Sequence, residues 1–243
     1  MSNLQSFSQK DLDIIKHHFE KIYEVCGHEF DRGCGSYLFD GKNYKLLDDI
    51  YNKQILLFNK VKDKSNILEI GTYMGHSLLI MLVSNPKINV TTIDLNDRYA
   101  KPVTSYLTSE FPDAKIEFIH DNSLNVIKKL KSKFDFFHID GAHKNKIITQ
   151  EFNCIKNLNK TESLEIIFDD DITCQSLIKN IESTFKIEER ISRGTGWFTN
   201  LYLKINIPKS KFQKLKLNFI FLIKNQLQYL GLKLKKLVNL KKI

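Results

Sequence analysis

An α/β fold around a seven-stranded, mostly parallel sheet is predicted by three features of the 243-residue sequence. Short apolar runs alternate with helix-compatible segments, each run stops at a polar or glycine cluster, and no internal repeat or Pro/Gly/Ser linker breaks the alternation. With 42% hydrophobic and 27% charged residues, the chain can bury one sizeable core, which excludes a disordered protein.

The elements follow in order. Residues 1–60 read mostly as helix, with Leu12, Ile15, Phe19 and Ile22 at helical spacing, and are expected to cap the crevice or a sheet edge. The first apolar run, Asn66 to Ile70, breaks at Gly71 and leads into a helix over Ser77 to Val83. The second, Ile88 to Ile93, ends in Asp94. The third, Lys115 to Ile119, ends in Asp121-Asn122-Ser123, where Asn122 or Ser123 can cap a helix over Leu124 to Leu130. The fourth, Phe134 to Ile139, ends in Asp140-Gly141, and the fifth, Leu164 to Phe168, ends in Asp169-Asp170-Asp171. A helix over Ile172 to Phe185 precedes two runs, Ile187 to Ile191 and Trp197 to Ile207, whose connection Arg193 to Gly196 reads as an antiparallel hairpin turn. The expected organisation is a helical cap over 1–60, a ligand-binding α/β domain over 61–205 and a basic amphipathic tail over 206–243.

Charge and cysteine usage narrow the function classes. The net charge is +9, but eleven lysines and no acid lie between Lys204 and Ile243, leaving 26 of the 37 basic residues against all 28 acids in the rest. A body so balanced lacks the excess expected of a broad nucleic-acid surface, so a nucleic-acid partner is disfavoured. Four cysteines without C-x-x-C spacing provide neither a disulfide framework nor a zinc knuckle, and the cytoplasm is the expected compartment. No apolar stretch of signal-peptide or membrane-span length is present. In the tail, Phe212, Leu215, Phe219, Leu222, Ile223, Leu227, Leu230, Leu234 and Val238 repeat at helical spacing among lysines, while Phe221 and Leu232 fall on the other side. Two occupants are expected for that stripe: an anionic membrane surface, placing the protein on the inner face, or another subunit; a docked helix with a solvated lysine face is the bland alternative.

In an open parallel sheet, ligands sit outside the carboxyl ends of the strands, so Glu69, Gly71, Asp94, Ser123, Asp140 and Asp169 are expected to share one crevice. Gly71 and Gly75 flank a strand-to-helix turn and would let backbone approach a ligand. Three residues separate these glycines, which does not match the G-x-G-x-x-G of dinucleotide sites. A helix N-terminus favours an anion and Glu69 a cation, so the loop suits a ligand carrying both, such as the amino-acid end of S-adenosylmethionine. Asp94, ending the second run, can accept hydrogen bonds from both hydroxyls of a ribose.

The carboxylates after the fourth and fifth runs would repel one another unless a cation lay between them. Hard oxygen donors of this kind suit Mg2+ first, or another divalent cation such as Mn2+ or Ca2+, while one or two of Asp169 to Asp171 are expected to serve only as helix caps. His143, three residues after Asp140, is the candidate proton acceptor, histidine being the residue type that ionises nearest neutrality, with Lys144 as a second candidate. His76 reads as a packing residue.

Glu69-Ile-Gly-Thr-Tyr-Met-Gly-His-Ser77 resembles the E-x-G-x-Y-x-G-x-S motif of class I S-adenosylmethionine-dependent methyltransferases, in particular the cation-dependent O-methyltransferases related to catechol, caffeoyl-CoA and macrocin-type sugar methyltransferases. The resemblance covers roughly residues 45 to 205 by order of elements. It implies a Rossmann-like methyltransferase fold whose last strand is reversed. It also implies a cofactor held along Glu69, Gly71, Thr72, Tyr73, Gly75 and Ser77, with Asp94 on the ribose and Ser123 with Asp121 or Asn122 at the adenine edge. A metal on Asp140, Asp169 and Asp170 is implied as well, Asp140 also bordering the cofactor, with a shift to Asp170 and Asp171 left open. The chain departs from these relatives in having His143 where many carry a lysine base, and Ala142 where some sugar methyltransferases carry an acid. The expected activity is O-methylation of a hydroxyl on a sugar, glycoconjugate or phenolic small molecule, by a protein that could self-associate. The alternatives are a nucleic-acid methyltransferase using the lysine tail and a catalytically silent adenosine-binding scaffold.

Overall fold

The computed structural model describes residues 4–28, 48–195, 198–208 and 210–240. Among these residues, seven strands form one sheet: β1 (Asn66–Ile70), β2 (Asn89–Asp94), β3 (Lys115–His120), β4 (Phe136–Ile139), β5 (Ser163–Phe168), β6 (Ile187–Thr195) and β7 (Phe198–Asn206). Their order is β3-β2-β1-β4-β5-β7-β6, with β1 to β5 parallel and β7 antiparallel to both β5 and β6. The chain reverses direction across the sheet at β1, between β2 and β4, and this switch point brings the ends of β1, β2 and β4 to one edge.

Among the described residues, eight α-helices cover the two faces: α1 (Gln9–Val25), α2 (Asp48–Val61), α3 (His76–Ser84), α4 (Asp97–Glu110), α5 (Ser123–Lys129), α6 (Asn145–Leu158), α7 (Gln175–Thr184) and α8 (Lys211–Leu240). Successive strand residues point to opposite faces, so Ile67 and Phe136 join the core under α1 to α4, whereas Leu68 and Phe137 join the core under α5 to α8. The α1 helix opens with a reciprocal cap between Ser8 and Asp11 and buries Ile15, Phe19 and Ile22, the predicted stripe, against α3 and α4. The apolar core continues across residue 60: Leu56, Leu57 and Val61 of α2 pack in the same cluster as Ile67. Asn122 caps α5 by accepting from the Leu124 N–H at 3.0 Å.

Three local expectations are corrected. β4 begins at Phe136, because Phe134 pairs only in an isolated bridge with Asn159. The helix expected from Ile172 opens as a 3-10 turn over Asp171–Cys174 and becomes α-helical at Gln175. Arg193 and Gly194 are not turn residues: they pair with Asn200 and Thr199 inside the hairpin, Gly194 taking φ 99°. Gly196 and Trp197, assigned to the turn and the last strand, lie outside the described residues. In α8 the stripe from Phe212 to Leu230 is exposed, while Phe221, on the opposite side, is fully buried against Phe152 and Phe185.

Candidate active site

Residues on alternate positions of the central strands build a polar row across the sheet face beneath α2 and α3. Glu69 on β1 pairs in register with Thr92 on β2 and His138 on β4. The Glu69 carboxylate is fully buried and accepts from Ser77 Oγ at 2.5 Å and Thr92 Oγ1 at 2.7 Å, with His138 Nδ1 at 3.3 Å. A buried carboxylate is tolerated when its oxygens are filled in this way. The acid read as facing a ligand's cation is thus the hub that fixes the first turn of α3.

The glycine turn closes over that hub. Gly71 has φ 96°, and a Cβ on it would lie 2.3 Å from the Asp140 carbonyl oxygen. Gly75 has φ 68°, and its Cβ would meet Val103 Cγ1 at 2.5 Å. The physical reason for glycine at both positions is therefore close packing against β4 and α4, in addition to any approach by a ligand. Tyr73 between them also takes a positive φ of 44°, and its ring meets Tyr99 edge-on at 5.5 Å. Asp94 holds this strained loop: its Oδ2 accepts from the backbone N–H of Thr72 at 2.9 Å and of Tyr73 at 2.7 Å, while Oδ1 accepts from Asn96 N–H at 2.9 Å. At the end of β3, Asp121 accepts from the Asn122 N–H at 2.6 Å, which holds its exposed carboxyl below the usual range. Ser123 donates to Glu151 at 2.5 Å, and burial raises that carboxyl despite the bond.

The acids after β4 and β5 meet next to the glycine turn. Donor atoms of His138, Asp140 and Asp169 all lie within 4.8 Å of one another. The ammonium of Lys53, from α2, makes an ion pair with Asp169 and lies 3.5 Å from Asp170, and its side chain is only 1% exposed. Burial and the charge of Asp169 push the Asp140 carboxyl well above the usual range, with Lys53 opposing them. Asp169 is buried too, but Lys53 and His138 outweigh that penalty and hold it below the usual range. Burial opposes the Lys53 charge, yet Asp169, Asp140 and Asp170 together raise its pKa. Asp170, in a left-handed conformation with φ 48°, is pushed up to about 6 by burial and by Asp169. Asp171 turns away to start the 3-10 segment and accepts from Gln175 Nε2 at 3.0 Å. Of the triplet, Asp169 lies beside Asp140, Asp170 meets Lys53 and His143, and Asp171 serves its own helix.

The cluster can be tested as a cation site. Its donors are carboxylate oxygens and one imidazole, and His138 Nε2 is buried with no hydrogen-bond partner among the described residues. Such a set fits a divalent ion in kind. Lys53 already supplies a positive charge there, so an ion would compete with its ammonium for Asp169.

The remaining candidates divide. His143 stands on the rim, more than half exposed, with Nδ1 3.8 Å from Asp170 Oδ2. His76 is buried, stacks edge-on against Phe19 at 4.6 Å, and is driven down to about 3 by desolvation, as a packing residue would be. Sequence reasoning missed His138 and Lys53. His138 shares a strand face with Asp140 by the two-residue period of β4, a signal that could have found it. Lys53 lies among apolar residues of α2 at helical spacing from Leu56 and Leu57, which hints at a buried charge but not at its partner.

Residues 68–171 match a family described as a methyltransferase domain. A relative from Arabidopsis thaliana, assigned as a caffeoyl-CoA O-methyltransferase, is 31% identical over 85 residues, which span 33% of this chain and 37% of the relative's length. Among solved structures, a protein of Klebsiella pneumoniae assigned as an O-methyltransferase aligns with a TM-score of 0.55 at 16% identity, covering 82% of this chain and 97% of that one. An O-methyltransferase from Bacillus cereus, solved with S-adenosylhomocysteine, aligns at 0.50 and 15% identity, covering 84% and 94%. The two alignments establish a shared fold, and the domain match covers the turn and acids built up above. Residues 68–171 thus match a methyltransferase domain, in a fold shared with O-methyltransferases of known structure.

Proposed function

We propose that the protein transfers the methyl group of S-adenosylmethionine to a hydroxyl of a small molecule, a sugar, glycoconjugate or phenol, with a divalent cation at Asp140, Asp169 and Asp170. One observation carries the reading: the Asp140 backbone abuts Gly71, so the glycine turn and the acid cluster share a single sheet edge. A donor lying along the turn would present its methyl group beside the acids, where effective molarity rather than new covalent chemistry supplies most of the acceleration.

In this reading the ribose hydroxyls bind Asp94, and the methionine end lies against Thr72, Tyr73 and Ser77. Glu69 is a positioning residue that acts through Ser77, its carboxylate being buried beneath that hydroxyl. The adenine edge falls to Ser123 with Asp121 or Asn122. A divalent ion, when bound, would orient the acceptor oxygen and lower its pKa. His143, exposed on the rim beside Asp170, takes the acceptor proton as it leaves for bulk water.

Calorimetric titration with S-adenosylmethionine, S-adenosylhomocysteine and NAD, with and without magnesium, tests the cofactor. The first two are expected to bind and NAD is not; the reverse pattern would overturn the assignment. Transfer of a labelled methyl group to a panel of sugar and phenolic acceptors is expected to stop on chelation and in Asp140→Asn. Undiminished transfer in excess chelator would remove the cation and leave Lys53 as the sole positive charge of the site.

A further inference from the structure

The α8 helix is docked by the wrong face for its sequence. Its inner side holds Phe221, fully buried, with Lys156 Nζ 4.6 Å over the ring. Leu217 packs partly against the same core, and polar contacts supplement it: Lys156 donates to Asn218 at 2.9 Å, Asn180 to Gln228 at 3.0 Å, and Lys224 to the Ser183 carbonyl at 2.8 Å. The outer side carries Phe212, Leu215, Phe219, Ile223, Leu227 and Leu230, exposed by 40 to 77%. Their spacing of three and four residues makes one straight stripe, about 27 Å long at the rise of an α-helix. Scattered apolar side chains on a surface are ordinary, but a contiguous stripe of this length marks an interaction site.

Charge decides what covers it. The forty residues from Lys204 to Ile243 hold eleven lysines and no acid. A second copy laid stripe to stripe would bring two such segments together, and like charges across an interface oppose association. An anionic lipid surface reverses the sign: each lysine near it gains roughly 1 kcal/mol, while the apolar side chains enter the acyl boundary. No described helix is long and apolar enough to cross a membrane, which leaves a helix lying in the plane of the surface. We infer that α8 docks this protein on an anionic lipid surface through the stripe from Phe212 to Leu230. The inference is independent of the proposed chemistry.

The helix also relates this surface to the candidate site. Asn218 meets Lys156 in the last turn of α6, and Tyr229 lies 6.0 Å from Lys146 Nζ in its first turn, just after His143. From Tyr229 to Leu240 it continues for about another 16 Å beyond that rim.

Co-sedimentation of the full chain with vesicles of pure phosphatidylcholine and of phosphatidylcholine mixed with phosphatidylglycerol tests the proposal. Binding is expected to the mixed vesicles alone and to weaken as salt rises. The triple variant Phe212→Ser, Phe219→Ser, Leu227→Ser changes only exposed positions, so its thermal unfolding should match the parent; its vesicle partition should fall by roughly tenfold or more. A set with lysines 233, 235 and 236 changed to glutamine should lose binding and leave the stripe intact. Three results would overturn the inference: no binding to mixed vesicles, equal binding by the triple variant, or a dimer in sedimentation velocity that the triple variant abolishes. The last would assign the stripe to a second copy.

Discussion

Lys53 carries its charge where water does not reach, held between Asp169 and Asp170 by contacts from the far half of the chain. Removing one partner of a buried pair strands the other, at a cost of about 3–5 kcal/mol. Lys53→Met should lower the urea midpoint accordingly, and adding Asp169→Asn should recover part of the loss; full stability in the single variant would show that the ammonium neutralises nothing. His76 gives a second prediction. Its folded pKa is depressed to about 3 against 6.5 in the unfolded chain, so its contribution is whole above pH 6.5 and is lost as pH falls through that window. The slope from this one group is about 1.4 kcal/mol per pH unit. His76→Phe, which keeps a ring against Phe19, should flatten the acid limb of stability against pH, and an unchanged limb would refute the assignment. The two histidines show how far single residues are legible. His76 sits in a strongly apolar helix and reads as packing, whereas His138 needs Asp140 as a neighbour on its strand face before it reads as a site. Lys53 was invisible because its partners are set by tertiary structure alone.

At the scale of elements, three glycines separate turn, packing and helix. Gly71→Ala would drive a Cβ into the Asp140 backbone, which cannot yield, and should cost on the order of 3 kcal/mol or more. Gly75→Ala meets a valine methyl that can shift, and should cost less. Gly231→Ala has nothing within 4 Å and lies inside α8, so it should stabilise by about 1 kcal/mol. Urea midpoints of the three variants check the order, and a Gly71→Ala protein as stable as Gly75→Ala would contradict the close approach of β1 and β4. Strands were legible because an apolar run stopped by a polar cluster is local information. Their ends were less so: β6 extends through Arg193 and Gly194, paired with Asn200 and Thr199 of β7, because cross-strand pairing outweighs the turn propensity of glycine.

For the whole molecule, alternation of runs and helices disclosed the sheet, and the placement of Asp94 at the end of β2 and of Asp140 and Asp169 just after β4 and β5 pointed to the edge that carries the candidate site. Docking of α8 through Phe221 was not legible, because one aromatic on the lysine-bearing side of an amphipathic helix gives no local sign of burial. That helix packs along α7 and touches α6 at its last turn through Lys156 and near its first through Lys146, and α6 begins where the loop carrying Asp140 and His143 ends. Anything that grips the outside of α8 therefore touches, through Lys146 and Lys156, the helix that follows this loop. If those contacts couple the two ends, thermodynamic reciprocity requires a ligand that stiffens the loop to tighten the grip on α8 by the same factor.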